Sequence, residues 1–179
     1  MSDIRYSTFP RTSTPHPVAA EVAEAFCNVE DAISTKQLEK GLKSDAVTSL
    51  VRPGLERIGF TVESDKTSLG TIDRPVLFGE NGLPSLNYQV DAYHNEYACG
   101  LEIEAGRALM GNAFYRDLVQ AMVMVRVETL IVALPNTYKY KSSGKLTISR
   151  DYHNACGIAD ALYAHGRLHI PFSLILLGY

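Results

Sequence analysis

The chain has 179 residues, of which 46% are hydrophobic, and this composition excludes a disordered chain and allows one domain with a proper core. Its formal net charge of −3 excludes binding of polyanions through bulk charge, so any nucleic-acid binding must come from local basic patches. No stretch of about 18 apolar residues could cross a membrane, and the N-terminus has no secretion signal. The three cysteines have neither metal-ligand nor disulfide spacing. We therefore expect a cytoplasmic protein with no membrane partner.

The N-terminal part of the chain is predicted to be an arm followed by helices. Residues 1–17 hold three prolines among serines and threonines, so we expect an extended or disordered arm before a single domain over residues 18–179. Apolar residues at helical spacing predict helices over residues 18–33, over residues 35–42 and from Ser44 to Gly59. Pro53 lies inside the third helix and is expected to kink or restart it.

The remaining elements follow in an order that predicts the fold class. We expect a strand over 60–63, a long connection over 67–84 with a short strand at 76–78, and then a hairpin within 86–107. After it come a helix capped by Asn112, a buried strand over 128–134, a surface loop over 136–150, a helix over 152–165 and a strand over 171–177. Strands reached through helices should run parallel, and hairpin strands antiparallel. The prediction is an α/β fold bordering on α+β, with a mixed central sheet and helices on both faces.

The hairpin carries the most informative residues. A two-residue turn at Asn95-Glu96 would place His94 opposite Tyr97, and Asp91 opposite Gly100. Because side chains alternate along a strand, Asp91, Glu102 and Glu104 would then share one face, with room beside the glycine. Val90, Ala92, Leu101 and Ile103 would lie on the opposite face and enter the core.

Three converging carboxylates predict a divalent-cation site. Like charges side by side destabilise a sheet, and a bound cation would offset that cost. Oxygen-only ligands favour Mg²⁺, Mn²⁺ or Ca²⁺ over zinc. The alternative is an ordinary amphipathic hairpin whose acidic face is solvated, and a slip of one residue in the turn would spoil the geometry.

The element order and the acidic motif resemble the PD-(D/E)xK nuclease superfamily, which has the restriction-endonuclease-like fold. Asp91 matches the aspartate of the second core strand, although Val90 replaces the proline. Glu102-Ile103-Glu104 matches the acidic-x-lysine motif, with Glu104 in place of the lysine, as in restriction enzymes of the BamHI type. The resemblance covers roughly residues 45–178 as an order of elements.

This resemblance implies a divalent-metal-dependent nuclease that hydrolyses phosphodiester bonds, acting on DNA in preference to RNA. Asp91 and Glu102 would hold Mg²⁺ (or Mn²⁺), and Glu104 would accept or orient the proton of the attacking water. Glu56, on the helix before the first core strand, is a candidate for an additional catalytic and metal-binding acid. Arg107 and Gln120 are candidates for contact with the nucleic acid, with Arg116 one helical turn from Gln120.

A basic segment offers further candidates for nucleic-acid contact. Its cationic residues are Lys139, Lys141, Lys145 and Arg150, and Tyr138 and Tyr140 could stack on bases. The alternative is a flexible solvated loop.

Two other functions stay open on the sequence alone. One is a non-catalytic nuclease-like domain that binds protein or nucleic acid, which the missing lysine and the negative charge favour. The other is an unrelated α/β protein with a different metal-dependent or small-molecule activity. By analogy with the superfamily, a chain this short would need to form a homodimer to cut both strands at once.

Overall fold

The computed structural model describes residues 2–36, 41–65, 67, 69–106 and 108–179. The helices within this part are α1 (Val18–Cys27), α2 (Glu30–Ile33), α3 (Ser44–Arg57), α4 (Ala113–Ala121) and α5 (Asp151–Ala164). The strands are β1 (Arg5–Phe9), β2 (Thr61–Val62), β3 (Ile72–Phe78), β4 (Pro84–Val90), β5 (Ala92–His94), β6 (Cys99–Ile103), β7 (Thr129–Leu134), β8 (Tyr138–Ser142), β9 (Lys145–Ser149) and β10 (Ser173–Gly178). Within the described residues, no helix combines the length and the apolar character that a membrane span requires.

A six-stranded mixed sheet forms the centre of the molecule, with the strand order β1-β10-β7-β6-β5-β2. The three central strands β6, β7 and β10 run parallel, and each is connected to the next through a helix. The outer strands β1, β5 and β2 pair antiparallel to their neighbours. The predicted α/β class with a mixed sheet is therefore confirmed.

Helices cover both faces of this sheet, as predicted. On one face, α1 and α3 pack against Leu101, Ile131 and Ile175. On the other face, α4 and α5 pack against the alternate strand residues, such as Leu130 and Leu174. The central strands are apolar on both faces because both faces are buried, which explains why β7 is a continuous apolar segment.

The acidic hairpin has a different register from the predicted one. The turn spans residues 95–98, and the pairs are His94 with Cys99, Tyr93 with Gly100 and Ala92 with Leu101. The two-residue turn and the pairing of Asp91 with Gly100 were therefore wrong. The shift is two residues, and because side chains alternate with a period of two, Asp91 and Glu102 still share a face.

Two other expectations about the hairpin also fail. A side chain at Gly100 would meet Val90, Val127 and Leu130 rather than open space beside Asp91. Val90 packs in the core on the α4 and α5 face, whereas Ala92 lies in the core on the opposite face. The cause is a bend at Asp91, which separates β4 from β5 and breaks the alternation that a single long strand would have.

His94 anchors the turn of this hairpin to the end of α3. Its Nδ1 accepts the N–H of Tyr97 at 3.2 Å, so Nε2 carries the proton and donates to the carbonyl of Ile58 at 3.0 Å. Gly59 lies against the ring with a φ of +99°, and a Cβ there would fall 2.7 Å from Nε2. Glycine is therefore required at this position, and His94 is a satisfied structural residue.

Three segments are paired in a way that the sequence did not predict. Ile72–Phe78 and Pro84–Val90 form a separate antiparallel hairpin, whereas the prediction had a strand only over 76–78 and placed residues from 86 onward in the acidic hairpin. The irregular register and the internal Pro75 weaken the strand pattern. Tyr138–Ser142 and Lys145–Ser149 form another hairpin, joined by Ser143-Gly144 with positive φ at both turn residues. Within the N-terminal arm, Arg5–Phe9 is extended and paired with β10 rather than disordered.

The helix predictions hold with local corrections. The first predicted helix breaks after Cys27 into α1 and α2, and α3 continues through Pro53 as one helix. Asn112 precedes α4 in the left-handed region and makes no side-chain cap, so the predicted capping role was wrong. The predicted helix over 35–42 includes residues 37–40, which lie outside the described part of the chain.

Candidate active site

An open pocket of about 700 Å³ lies where the β3–β4 hairpin, the acidic hairpin and α4 meet. Acidic side chains from five separate elements or connections line it, namely Glu63, Asp73, Asp91, Glu102 and Asp117. Arg116 is the one basic residue among its described lining residues. The fold thus concentrates negative charge in a recess that is open to solvent.

Asp91 lies at the bend between β4 and β5, where a hydrogen bond to the backbone holds its side chain. Its Oδ2 accepts a hydrogen bond from the backbone N–H of Ile103 at 2.7 Å. Continuing the register of the β5–β6 pair by one step brings Asp91 level with Glu102. The hydrogen bond therefore ties the aspartate to the strand that carries the second predicted acid.

Glu102 is the most buried acid predicted from the sequence. It lies on β6 with 9% of its surface exposed. Burial, followed by the charges of Asp91, Asp117 and Glu104, raises the pKa of Glu102 well above its ordinary value. The charges of these carboxylates therefore oppose the ionisation of Glu102.

Glu104 lies at the end of β6, beside the acidic pocket but not in its lining. It borders a neighbouring recess together with residues that precede and begin α3 and with Lys139. Its Oε1 lies 3.5 Å from Nη2 of Arg116. Burial and the neighbouring Asp117 raise the pKa of Glu104 to about 7, against the opposing charge of Arg116.

Asp117 is an acid of the site that the sequence reasoning missed. Its side chain is 1% exposed, and its Oδ1 accepts hydrogen bonds from Nε of Arg116 at 3.1 Å and from Nη2 at 2.9 Å. Its Oδ2 is also buried. Burial raises the pKa of Asp117, while the charge of Arg116 lowers it.

The sequence did contain a signal for Asp117. The buried positions of α4 are Phe114, Asp117, Leu118 and Ala121, which follow the i, i+3, i+4, i+7 spacing of a helix face. An acid inside an apolar stripe must be paired or functional, because burying a lone charge is costly. Apolar spacing alone predicts this helix without regard to the acid that lies between the apolar positions.

The donor atoms of the pocket fit a hard divalent cation held by two carboxylates. Among the described residues, no group of three or more His, Cys, Asp or Glu side chains is arranged to hold a metal ion. Mg²⁺ commonly binds through one or two carboxylates, with water and substrate phosphate as the other ligands. Asp91 and Glu102 provide that minimal set, and the buried carboxylate of Asp117 adds negative charge beside them.

The structure does not bring every predicted residue to this pocket. Glu56 is exposed on α3 and is absent from the lining, so it does not join Asp91 and Glu102. Gln120 does line the pocket, one helical turn beyond Arg116. Arg107 lies outside the part of the chain that the structure describes.

The predicted basic loop is largely the β8–β9 hairpin, none of whose described residues lines the acidic pocket. Lys145 and Arg150 are exposed, and Lys139 lines the recess next to Glu104. The side chain of Lys141 lies outside the described part of the chain. Tyr138 and Tyr140 stack on each other, with ring centroids 5.5 Å apart and an interplanar angle of 17°. The two rings therefore form a joint aromatic surface on the hairpin.

Comparison with known proteins adds no family to this description. No family model matches the chain, and no curated protein matches its sequence. The side chains of the acidic pocket and the fold that assembles them therefore provide the evidence for function.

Proposed function

We propose that the protein is a divalent-metal-dependent nuclease that hydrolyses phosphodiester bonds of DNA, with a restriction-endonuclease-like fold. The observation that carries the proposal is the convergence of Asp91 and Glu102 in an open acidic pocket. Asp91 lies at the bend before β5 and Glu102 lies on β6, and the N–H of Ile103 fixes the aspartate beside the glutamate. That arrangement supports the motif resemblance, because the resemblance requires these two carboxylates to lie together.

Asp91 and Glu102 are the residues that would hold Mg²⁺ or Mn²⁺ in this nuclease. When bound, such an ion supplies positive charge beside the scissile phosphate and lowers the pKa of a coordinated water. The protein's own contribution is to fix the two carboxylates and to provide an acceptor for the water's proton. Glu104 directly follows β6, two residues beyond Glu102, and its carboxylate is the proposed acceptor.

The shape and charge of the surface support a polymer as substrate. The pocket is open rather than enclosed, so a long chain could pass through it without threading. The recess next to Glu104 contains Lys43 and Lys139, and the exposed Lys145 lies on the same β8–β9 hairpin as Lys139. Cations near an acidic centre could contact the phosphate backbone on either side of the bond to be cut.

One observation favours the second candidate, a non-catalytic nuclease-like domain that binds nucleic acid or protein. Glu104 stands where the resemblance would place a lysine, and the described residues present no group of three metal-ligating side chains. A domain of this kind would keep the fold and the basic hairpin without cutting DNA. The two candidates differ in one measurable property, which is cleavage in the presence of Mg²⁺ or Mn²⁺.

A nuclease assay on supercoiled plasmid and on linear duplex DNA tests the proposal, with Mg²⁺, with Mn²⁺ and with EDTA. We expect cleavage that requires the metal and that is lost in both Asp91→Asn and Glu102→Gln. The matched control is Glu24→Gln, an exposed acid on α1 far along the chain from the motif. Cleavage that survives both site substitutions would assign the activity elsewhere, and no cleavage with intact DNA binding would favour the second candidate.

A further inference from the structure

We propose that Arg116 binds a phosphate oxygen of the substrate and that Asp117 is the positioning residue that holds its guanidinium at the pocket. This inference rests on the proposed nuclease function and names the cation that the acidic pocket needs in order to accept a phosphodiester. It follows from the geometry of one ion pair on α4 and from the charges around that pair.

The ion pair has one buried member and one exposed member. The side chain of Asp117 is 1% exposed, whereas that of Arg116 is 60% exposed. Nε and Nη2 of Arg116 both donate to Oδ1 of Asp117, at 3.1 Å and 2.9 Å. A buried carboxylate therefore fixes one edge of a guanidinium whose remaining surface faces solvent.

The anchored guanidinium of Arg116 has N–H donors that no described residue engages. Nε and Nη2 make the bonds to Asp117, and Nη2 also lies 3.5 Å from Oε1 of Glu104. Among the described residues, none accepts a hydrogen bond from Nη1. Arginine presents five N–H donors in a planar fork that matches the oxygens of a phosphate. The two N–H groups of Nη1 are thus available to a ligand.

The surrounding charges explain why a phosphate would need this cation. The pocket lining contains five acidic residues and, among those described, Arg116 as its one basic residue. A phosphodiester that approaches Asp91 and Glu102 meets like charge on most sides. Because Arg116 also neighbours Glu104, it lies beside the position where the motif lacks its lysine. From α4, Arg116 can therefore supply the positive charge that a lysine at position 104 would have supplied.

Asp117 also restricts the conformations that the side chain of Arg116 can adopt. An exposed arginine has high rotamer freedom, and ordering it on a ligand costs free energy. The bond to the buried carboxylate removes part of that freedom before the substrate arrives. The carboxylate of Asp117 is itself immobilised by burial, since its side chain is 1% exposed.

The test measures DNA affinity and its salt dependence, using a short fluorescent duplex, EDTA to prevent cleavage and a series of KCl concentrations. For Arg116→Gln we expect affinity about ten-fold lower and a slope of log K against log salt that is smaller by about one, because one phosphate contact is lost. Arg116→Lys should keep the slope and regain part of the affinity. Asp117→Asn should also keep the slope, since the charge of Arg116 remains, but bind more weakly.

Controls separate this role from a purely structural one. Arg57→Gln removes an exposed arginine of α3 outside the pocket lining and should leave the affinity and the slope at wild-type values. Arg116→Gln leaves the buried Asp117 charge unpaired, so Arg116→Gln combined with Asp117→Asn provides a second variant without that charge. Thermal unfolding of each variant checks that it is folded.

The outcomes distinguish this inference from the proposed function. Suppose that the wild type binds DNA, and that Arg116→Gln and the double variant Arg116→Gln with Asp117→Asn both bind with wild-type slope and affinity. The phosphate-binding role is then wrong, while the nuclease proposal stands. If the wild type neither binds the duplex nor cuts DNA with Mg²⁺, the nuclease proposal fails and this inference fails with it. A smaller slope in both variants, with Arg57→Gln unchanged, supports the role of Arg116.

Discussion

Asp91 accepts a hydrogen bond from the backbone N–H of Ile103, with 2.7 Å between Oδ2 and N. This bond joins the bend after β4 to the strand that carries Glu102, and it fixes the aspartate in the pocket. One oxygen of Asp91 is thereby engaged in holding the fold. Substitutions that keep or remove this hydrogen bond therefore test the role of the carboxylate charge separately from its role in the fold.

We expect Asp91→Asn to abolish Mn²⁺ binding while the protein stays folded. The asparagine carbonyl can still accept the N–H of Ile103, whereas its amide lacks the charge that a hard cation requires. Isothermal calorimetry with Mn²⁺ measures the binding, and thermal unfolding checks the fold. Asp91→Ala, which also loses the hydrogen bond, should fail to bind and unfold at a lower temperature. Wild-type affinity in Asp91→Asn would exclude this residue as a ligand.

Glu102→Gln should raise the stability of the metal-free protein at neutral pH and abolish Mn²⁺ binding. Burial and three neighbouring carboxylates make the charged form of Glu102 costly, and a glutamine of the same shape removes that cost. Urea unfolding with EDTA measures the free energy, and Glu24→Gln is the exposed control. A Glu102→Gln variant that is less stable than the wild type would contradict the repulsion that we infer among these side chains.

A pH-dependent contribution to stability is expected from Asp151, the first residue of α5. Burial raises its pKa, against the hydrogen bond from Oγ of Ser149, so the folded state holds the proton more tightly than the unfolded state. The contribution is therefore fully present below the unfolded pKa and is lost as the pH rises through the folded pKa. Asp151→Asn cannot ionise, and its stability relative to the wild type should increase from acidic to neutral pH.

Urea unfolding of the wild type and of Asp151→Asn over that range checks the sign. The asparagine oxygen can still accept the hydroxyl of Ser149, so the comparison isolates the ionisation. A difference in unfolding free energy that is constant with pH would contradict the shift at Asp151. A difference that decreases with rising pH would mean that the charge stabilises the fold at this helix N-terminus.

Phe9→Ala should destabilise the protein by about 3–5 kcal/mol, because it removes a fully buried aromatic side chain. Phe9 packs in the core between the sheet and the α4 and α5 layer, although it belongs to the N-terminal arm. Tyr6→Ala on the same strand is the control, since Tyr6 is 38% exposed. Equal small effects of the two substitutions would show that β1 is not a stable part of the sheet.

The sequence predicted the central elements because their apolar patterns are strong. The spacing in Val18–Cys27 and Ser44–Arg57 is helical, and Thr129–Leu134 is apolar at every position but its first. A strand buried on both faces has no polar positions, so it stands out from the rest of the chain. The helix between successive strands then determined their parallel arrangement.

The strands β3, β8 and β9, which the sequence predicted mainly as connections, have weak strand patterns for a physical reason. The β3–β4 and β8–β9 hairpins are separate two-stranded sheets, largely exposed, and they carry apolar side chains such as Leu77 and Ile148 on the surface. Without one buried face, their sequences lack the alternation by which strands are recognised. The turn at Ser143-Gly144 was the remaining local signal.

The sequence by itself determined that Asp91 and Glu102 share a face, since this depends on strand alternation and survives a register shift of two residues. It could not determine the turn length, because the turn is held by His94 and its contacts to Ile58 and Gly59, which lie far away in the chain. The tertiary structure alone decided which other side chains join the two acids. It excluded Glu56 and brought in Asp117, because the docking of α4 onto the sheet, and not sequence spacing, determines which helix face meets the pocket.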